Sequence, residues 1–424
     1  MARRMGVYAV LAYVGYGFLM YWYLFYFADT SLPFEFQGTK ADPATFLNGR
    51  ELMLTEEYSK IRNLLFFLST PLEWLIYLLI LLFGLSKSFK RWAENSSPYK
   101  WAQTAIYVIW LSFFAYITTF PLSYISYSLS KTYNISTQSF PSWMKDELID
   151  FWINFGFMFV LVTVLYWLMK KSTKRWWLYT WMLSVPFTLF MMFVQPVIID
   201  PLYNDFYPLT NKDLEAKILD LASQAKIPAE HVFEVNMAEK TNALNAYVTG
   251  IGSNSRIVLW DTTLNRLNDD QILFIMAHEM AHYVEKHIYI GIAGYLLMSL
   301  LGLYLISLLM NWSVQKWGNE FKIPDVHDIR SFPLFLIIMS MLMFASSPFS
   351  NLVSRYQETR ADRYAIEMTK NPEAAIESFQ VLSQAGLSQV NPPLLVKIFR
   401  YGHPTMLERI ARLEEYEIKK QNKE

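Results

Sequence analysis

One short stretch, Ala277-His278-Glu279-Met280-Ala281-His282, carries residue types at a spacing that can do chemistry. It reads H-E-x-x-H. On a helix of 3.6 residues per turn, His278 and His282 lie one turn apart on the same face. Two imidazoles so placed can close on one zinc ion. Glu279 projects beside them, where it can take a proton from an activated water. The motif alone also fits a helix whose histidines merely form hydrogen bonds. A catalytic zinc needs, in addition, a third protein ligand and an open coordination position.

The third ligand must be His or a carboxylate, because the chain has no Cys. The absence of Cys also excludes disulfides and thiolate chemistry. The extended form with a third His three residues after a Gly fails, since Glu285 and Ile288 occupy those positions. His287 falls one position early and reads as a surface or membrane-interface residue. Glu358 and Asp362, in Arg355-Tyr356-Gln357-Glu358-Thr359-Arg360-Ala361-Asp362, share one helical face. Glu358 can complete a His₂Glu set, and Asp362 can accept the free ring N–H of a ligand His. The same run also fits a solvated face with Arg355, Arg360 and Arg363 as partners. Tyr401-Gly402-His403-Pro404 is the third piece. Pro404 favours an extended His403 and a helix start just after it, with Arg409 about a turn and a half further on. Such a His can donate to a developing oxyanion, or can simply cap the helix.

These residues sit in a chain of 424 residues that is 53% hydrophobic, a richness normal for a membrane protein. Its zero formal charge suggests no nucleic-acid partner. Arg3 and Arg4 precede an uncharged run from Val7 to Phe27 that ends in aromatic residues, as a retained span does. Six more runs reach the length of about 20 residues that a bilayer requires: Leu64–Ser86, Ala102–Leu129, Phe151–Met169, Trp176–Ile199, Ile288–Trp312 and Ser331–Val353. Pro71, Pro121, Pro186 and Pro333 fall in or near spans as candidate kinks. Glu73 is a carboxylate within a span, suited to a polar interior or to a pairing with a neighbouring helix. The expected organisation is five spans over 1–199, a first metalloprotease part over 200–287, two spans over 288–353, and a second metalloprotease part over 354–424.

Within 200–287, Asp213–Gln224 has helical periodicity. Val232–Val235, Ala246–Thr249 and Arg256–Trp260 read as short strands, separated by turn signals at Gly250 and Gly252-Ser253-Asn254. Asn268, with Gln271 as the reciprocal partner, caps the helix that carries the motif. No Gly or Pro follows until Gly291, so this helix is expected to run straight into the sixth span and hold the metal at the bilayer surface.

Together these residues resemble the type I CAAX prenyl endopeptidase family of integral-membrane zinc metalloproteases, and more distantly the bacterial HtpX type. The likeness covers nearly the whole chain. Asp200-Pro201-Leu202-Tyr203-Asn204, Asn245-Ala246-Tyr247, the H-E-x-x-H motif, Glu358 to Asp362, and His403-Pro404 with Arg409 match in order. The resemblance implies a mainly α polytopic fold whose seven spans enclose a water-filled chamber, with a zincin-type domain and a small β-sheet. It implies one Zn²⁺ held by His278, His282 and Glu358, with Glu279 as general base and Asp362 as partner of a ligand His. His403 would act near the oxyanion and Arg409 near the substrate. Asn245, Ala246 and Tyr247 would lie on a strand that pairs with a peptide.

The expected function is a zinc metalloendopeptidase of the membrane, in the cell membrane if the host is bacterial. The partners are the bilayer and a peptide or protein substrate. Two substrate classes stay open, prenylated CAAX-type C-termini and damaged membrane proteins. A seven-span metal transporter or receptor is the rival class, although transport sites use residues near the bilayer midplane. The basic connections around Lys87–Lys100 and Lys170–Arg175 place the N-terminus inside and residues 200–287 outside. Resemblance to the eukaryotic family implies the opposite orientation.

Overall fold

The computed structural model describes residues 1–249 and 256–421. The expected turn at Gly250 and Gly252-Ser253-Asn254 lies outside the described residues. Five long helices come first: α1 (Ala2–Trp22), α2 (Gly49–Leu82), α4 (Lys100–Thr132), α5 (Phe140–Lys171) and α6 (Trp176–Val194), with a short α3 (Leu85–Ser96) between α2 and α4. Then come β1 (Phe206–Pro208), α7 (Lys212–Gln224), β2 (Val232–Val235), β3 (Ala246–Thr249), β4 (Arg256–Trp260), α8 (Asp261–Arg266) and α9 (Asp269–Val284). Two long helices follow, α10 (His287–Phe321) and α11 (Phe332–Thr369), and the chain ends in α12 (Pro372–Ala385), α13 (Leu394–Phe399) and α14 (Met406–Gln421).

Seven of these helical segments are long and apolar enough to cross a membrane, which makes this an integral, multi-pass membrane protein. Their outward faces carry large apolar side chains such as Leu11, Phe18, Phe113, Phe190 and Leu301, all exposed. In water such stripes would be a liability, and in lipid they are the expected solution. Pro71, Pro121 and Pro186 lie inside α2, α4 and α6. Pro333 instead sits in the first turn of α11, where its missing N–H costs nothing, and Pro348 is the proline inside that helix. Glu73 is exposed on α2 and has no hydrogen bond or ion pair among the described residues.

The two larger of three apolar cores among the described residues hold most of the molecule together, the smallest being Met20, Leu24, Phe67 and Val396. One joins α2, α4, α5, α10 and α11 through Ile80, Leu111, Leu165, Met310 and Phe335. The other lies under the sheet and packs α7, α9, α12 and α14 through Ile218, Phe274, Met280, Phe379 and Ile410. The sheet has the order β1-β2-β4-β3, with β2 and β4 parallel and the outer pairs antiparallel. The expected strands are all present, β3 is at an edge, and the three-residue β1 was too short to give a periodic signal.

Two helix continuities differ from expectation. The motif helix α9 does start at the Asn268–Gln271 capping box. It does not run into the sixth span. Glu285 caps it, and Lys286 takes a left-handed conformation (φ 58°) before His287 opens α10. A Lys in that conformation carries no sequence signal of the kind that Gly or Asn gives. By contrast α11 passes residues 353 and 354 without a break. Glu358 lies about 39 Å along it from Phe332 at 1.5 Å per residue, beyond the bilayer's hydrocarbon thickness of about 30 Å. The seventh span is therefore the rod that carries Glu358 and Asp362.

Candidate metal centre and peptide cleft

Three elements converge on one point. Helix α9 supplies His278, Glu279 and His282, α11 supplies Glu358 and Asp362, and the approach to α14 supplies His403, with Arg409 on α14 itself. Phe274 and Met280 anchor α9 in the apolar core, so its polar face must turn toward α11.

His278 Nε2, His282 Nε2 and a Glu358 carboxylate oxygen form a compact cluster, all within 4.8 Å of one another. The Nε2 atoms are 3.3 Å apart, and they lie 3.0 and 3.4 Å from Glu358 oxygens. A tetrahedral ion with bonds of about 2.0–2.1 Å has ligand atoms about 3.3 Å apart. The spacing is that of one face of such a site. Burial lowers the His278 imidazole, but its hydrogen bonds to Asp362 and Glu358 outweigh that and raise it to about 9, so a proton and a metal ion compete for its Nε2. His278 Nδ1 is 2.9 Å from Asp362 Oδ1 and His282 Nδ1 is 3.0 Å from His287 Nδ1. If both ligand rings donate from Nδ1, each Nε2 presents a lone pair. Two lone pairs and a carboxylate facing one another call for a cation. The chain therefore has a buried His-His-Glu set able to hold one zinc ion.

Each imidazole is backed by its own relay. Behind His278, Asp362 also takes Arg409 Nε at 2.9 Å and Nη2 at 2.5 Å. Arg409 is buried, and its guanidinium lies 3.9 Å from the Phe379 ring centroid. The expected substrate-side Arg409 thus spends its fork on Asp362, while also lining the cleft. Behind His282, His287 Nε2 lies 3.1 Å from Glu285, and Glu285 lies 2.6 Å from Arg360 Nε. His287, expected at the surface or the membrane interface, is buried instead. Its residue is 6% exposed because the turn at Lys286 folds α10 back beneath α9. Nothing in the sequence connects these residues, since the contact depends on a helix break without Gly or Pro.

The electrostatics follow from burial. Loss of solvent raises the Glu279 carboxyl to about 7, suited to a base working near neutrality. Burial, with His278 beside it, lowers His282 to about 4, which keeps its lone pair free at neutral pH. His403 Nε2 lies 3.4 Å from Glu358 Oε2, and its side chain is 64% exposed, so one edge of the ligand set stays open.

The cleft runs along β3. A cavity of about 480 Å³ is walled by Asn245, Ala246, His278, Glu279 and His403, and a second of about 280 Å³ by Val248, Glu279, His282 and Glu358. Glu279 stands between them. The Trp260 N–H donates to the Asn245 carbonyl, and Ala246 pairs with Leu259. Alternation along an antiparallel ladder then turns the backbone groups of Tyr247 toward β4 and those of Ala246 and Val248 outward. Tyr247 belongs to the strand through β4 rather than through its free edge. Val248, absent from the expected set, supplies the second outward pair.

Comparison with known proteins agrees with this geometry. The model of peptidase family M48 matches residues 208–417, and that of the CAAX prenyl protease N-terminal, five membrane helices, matches residues 40–205. The chain is 56% identical over 409 residues to the "Uncharacterized metalloprotease YhfN" of Bacillus subtilis (strain 168), covering 96% of each. It is 27% identical over 347 residues to CAAX prenyl protease 1 of Saccharomyces cerevisiae, covering 76% of this chain and 74% of that one. The fold matches the crystal structure of S. mikatae Ste24p with a TM-score of 0.78 at 22% identity, over 97% of this chain and 98% of that chain. A His-His-Glu centre on a seven-span frame, matched from end to end, places the chain in peptidase family M48 as an integral-membrane zinc metalloendopeptidase.

Proposed function

We propose that the protein cuts prenylated, CAAX-type C-terminal peptides bound in extended form along β3, and that His278, His282 and Glu358 hold the zinc. The observation that carries the reading is the edge of β3 at Ala246 and Val248, unpaired among the described residues, which runs past Glu279 between the two cavities. A peptide added there gains main-chain hydrogen bonds and presents successive carbonyls to the metal site. Zinc, when bound, supplies a Lewis acid that acidifies water and polarises the scissile carbonyl. Glu279 takes the water's proton as the carbonyl carbon is attacked, then delivers it to the departing amine. His403 donates a hydrogen bond to the oxygen that gains charge. Asp362 and His287 hold the two ligand rings in the tautomer that leaves Nε2 unprotonated. Asn245 anchors the start of the strand, its carbonyl and N–H both held by Thr263. No covalent bond to the chain forms.

The prenylated class comes from the relatives' names, CAAX prenyl protease 1 and its homologues, and from the membrane setting of the cleft. Incubating the purified protein with a farnesylated CAAX peptide and its unprenylated twin tests it. Faster cleavage of the farnesylated peptide is expected. Equal cleavage of both would move the assignment to unprenylated or damaged membrane proteins.

A further inference from the structure

The 480 Å³ cavity has a cationic end that the chemistry above does not use. Arg62, on α2, and Arg400, at the end of α13, both line it together with His403 and Glu279. Neither guanidinium has a carboxylate within ion-pair distance among the described residues. Arg400 is held by the side chain of Asn63, itself 1% exposed, and lies 5.8 Å from the Phe66 ring centroid. Arg62 lies 5.8 Å from the Tyr58 ring centroid. Arg409 and Arg360, by contrast, are paired with carboxylates, Asp362 and Glu285. Burial, and then the neighbouring Arg62 charge, lowers Arg400 to about 10. Two adjacent cations steadied only by an amide and aromatic faces form a site missing its anion.

We propose that Arg62 and Arg400 bind the C-terminal carboxylate of the peptide substrate, and so direct cleavage to bonds a few residues from a free C-terminus. This rests on the peptidase reading given above. The cations and Glu279 share a cavity of a size that holds a small ligand, so the anion met there belongs to a residue close to the scissile bond. Guanidinium groups match the planar carboxylate with paired, charge-assisted hydrogen bonds. An acidic side chain offers the same chemistry. A C-terminal carboxylate is the one every peptide carries, and a site built on it reads position rather than sequence.

Binding and cleavage are measured separately. The zinc-loaded full-length E279Q protein is titrated with three fluorescent peptides of one sequence: the free acid, the C-terminal amide, and the amide with Asp as last residue. The free acid is expected to bind about tenfold or more tighter than the amide, the scale of a charge-assisted contact in a half-buried site. In R62Q/E279Q that ratio is expected to fall severalfold, and with R400Q added to approach one. R62Q alters an exposed side chain, so its result stands even if R400Q disturbs Asn63. Equal binding of acid and amide, or an undiminished ratio in both variants, would overturn the assignment. So would an Asp-ended amide that binds like the free acid, because the site would then read side chains. Cleavage by the wild-type protein reports on the peptidase reading alone. Selective binding without cleavage would sink that reading and leave the anion site standing.

Discussion

Replacing His287 with Ala probes the support that the turn at Lys286 creates. In the native arrangement Arg360 Nε donates to Glu285, and Glu285 accepts from His287 Nε2. His287 then has only a lone pair at Nδ1, which accepts the Nδ1–H of His282 across 3.0 Å. His282 Nε2 is left unprotonated for the metal. In H287A the buried Nδ1–H loses its acceptor, and the ring is free to rotate or change tautomer. An unsatisfied buried donor costs roughly 1–3 kcal/mol, and lost outer support of a zinc ligand costs about 10–100-fold in affinity. The site is half open on this side, with the neighbouring cavity of about 280 Å³ able to admit water. The lower end is therefore expected, about tenfold weaker zinc binding. Competition with a fluorescent chelator measures it without any activity assay. H287N places an amide oxygen near the old Nδ1 position and should recover most of the loss. Wild-type affinity in H287A, or no recovery in H287N, would refute the relay.

Two more outcomes follow from the cleft. Val248→Pro removes an outward N–H at an edge position, where β4 pairing is not involved. It is expected to raise KM for peptides about tenfold with a smaller change in kcat, and an unchanged KM would mean that peptides do not pair with β3. The pH profile tests the base. Burial raises Glu279 to about 7, and the carboxylate is the active form. Activity should therefore climb with pH through about 7 rather than through the ordinary glutamate value of about 4.3. A kcat/KM already at its plateau at pH 5 would show that the carboxyl is not raised in the working enzyme.

Much of the centre was legible because helical spacing carries it. The pairs His278/His282 and Glu358/Asp362 are each four residues apart, and that period is independent of tertiary packing. The spans were legible from length and hydropathy, and the strands Val232–Val235, Ala246–Thr249 and Arg256–Trp260 from their composition. What stayed hidden depends on how elements meet. The end of α9 rests on Lys286 in a left-handed turn, which no local rule flags. His287 looked peripheral because an uninterrupted helix would have carried it away from His282. Arg409 reads from the sequence as a substrate-side residue, and its pairing with Asp362 exists only once α14 meets α11. Arg62 and Arg400 are 338 residues apart in sequence by subtraction of their numbers, and only the packing of α2 against the segment after α11 brings them to one cavity.

The central claim is that one zinc on His278, His282 and Glu358 works with Glu279 as the base. It is tested most directly by metal analysis and peptide cleavage on the same preparations of the wild type and E279Q. One zinc per chain in both, with cleavage by the wild type and a loss of at least about a hundredfold in E279Q, is the expected result. Wild-type cleavage by E279Q would contradict it, and so would full zinc occupancy in a variant lacking both His278 and His282.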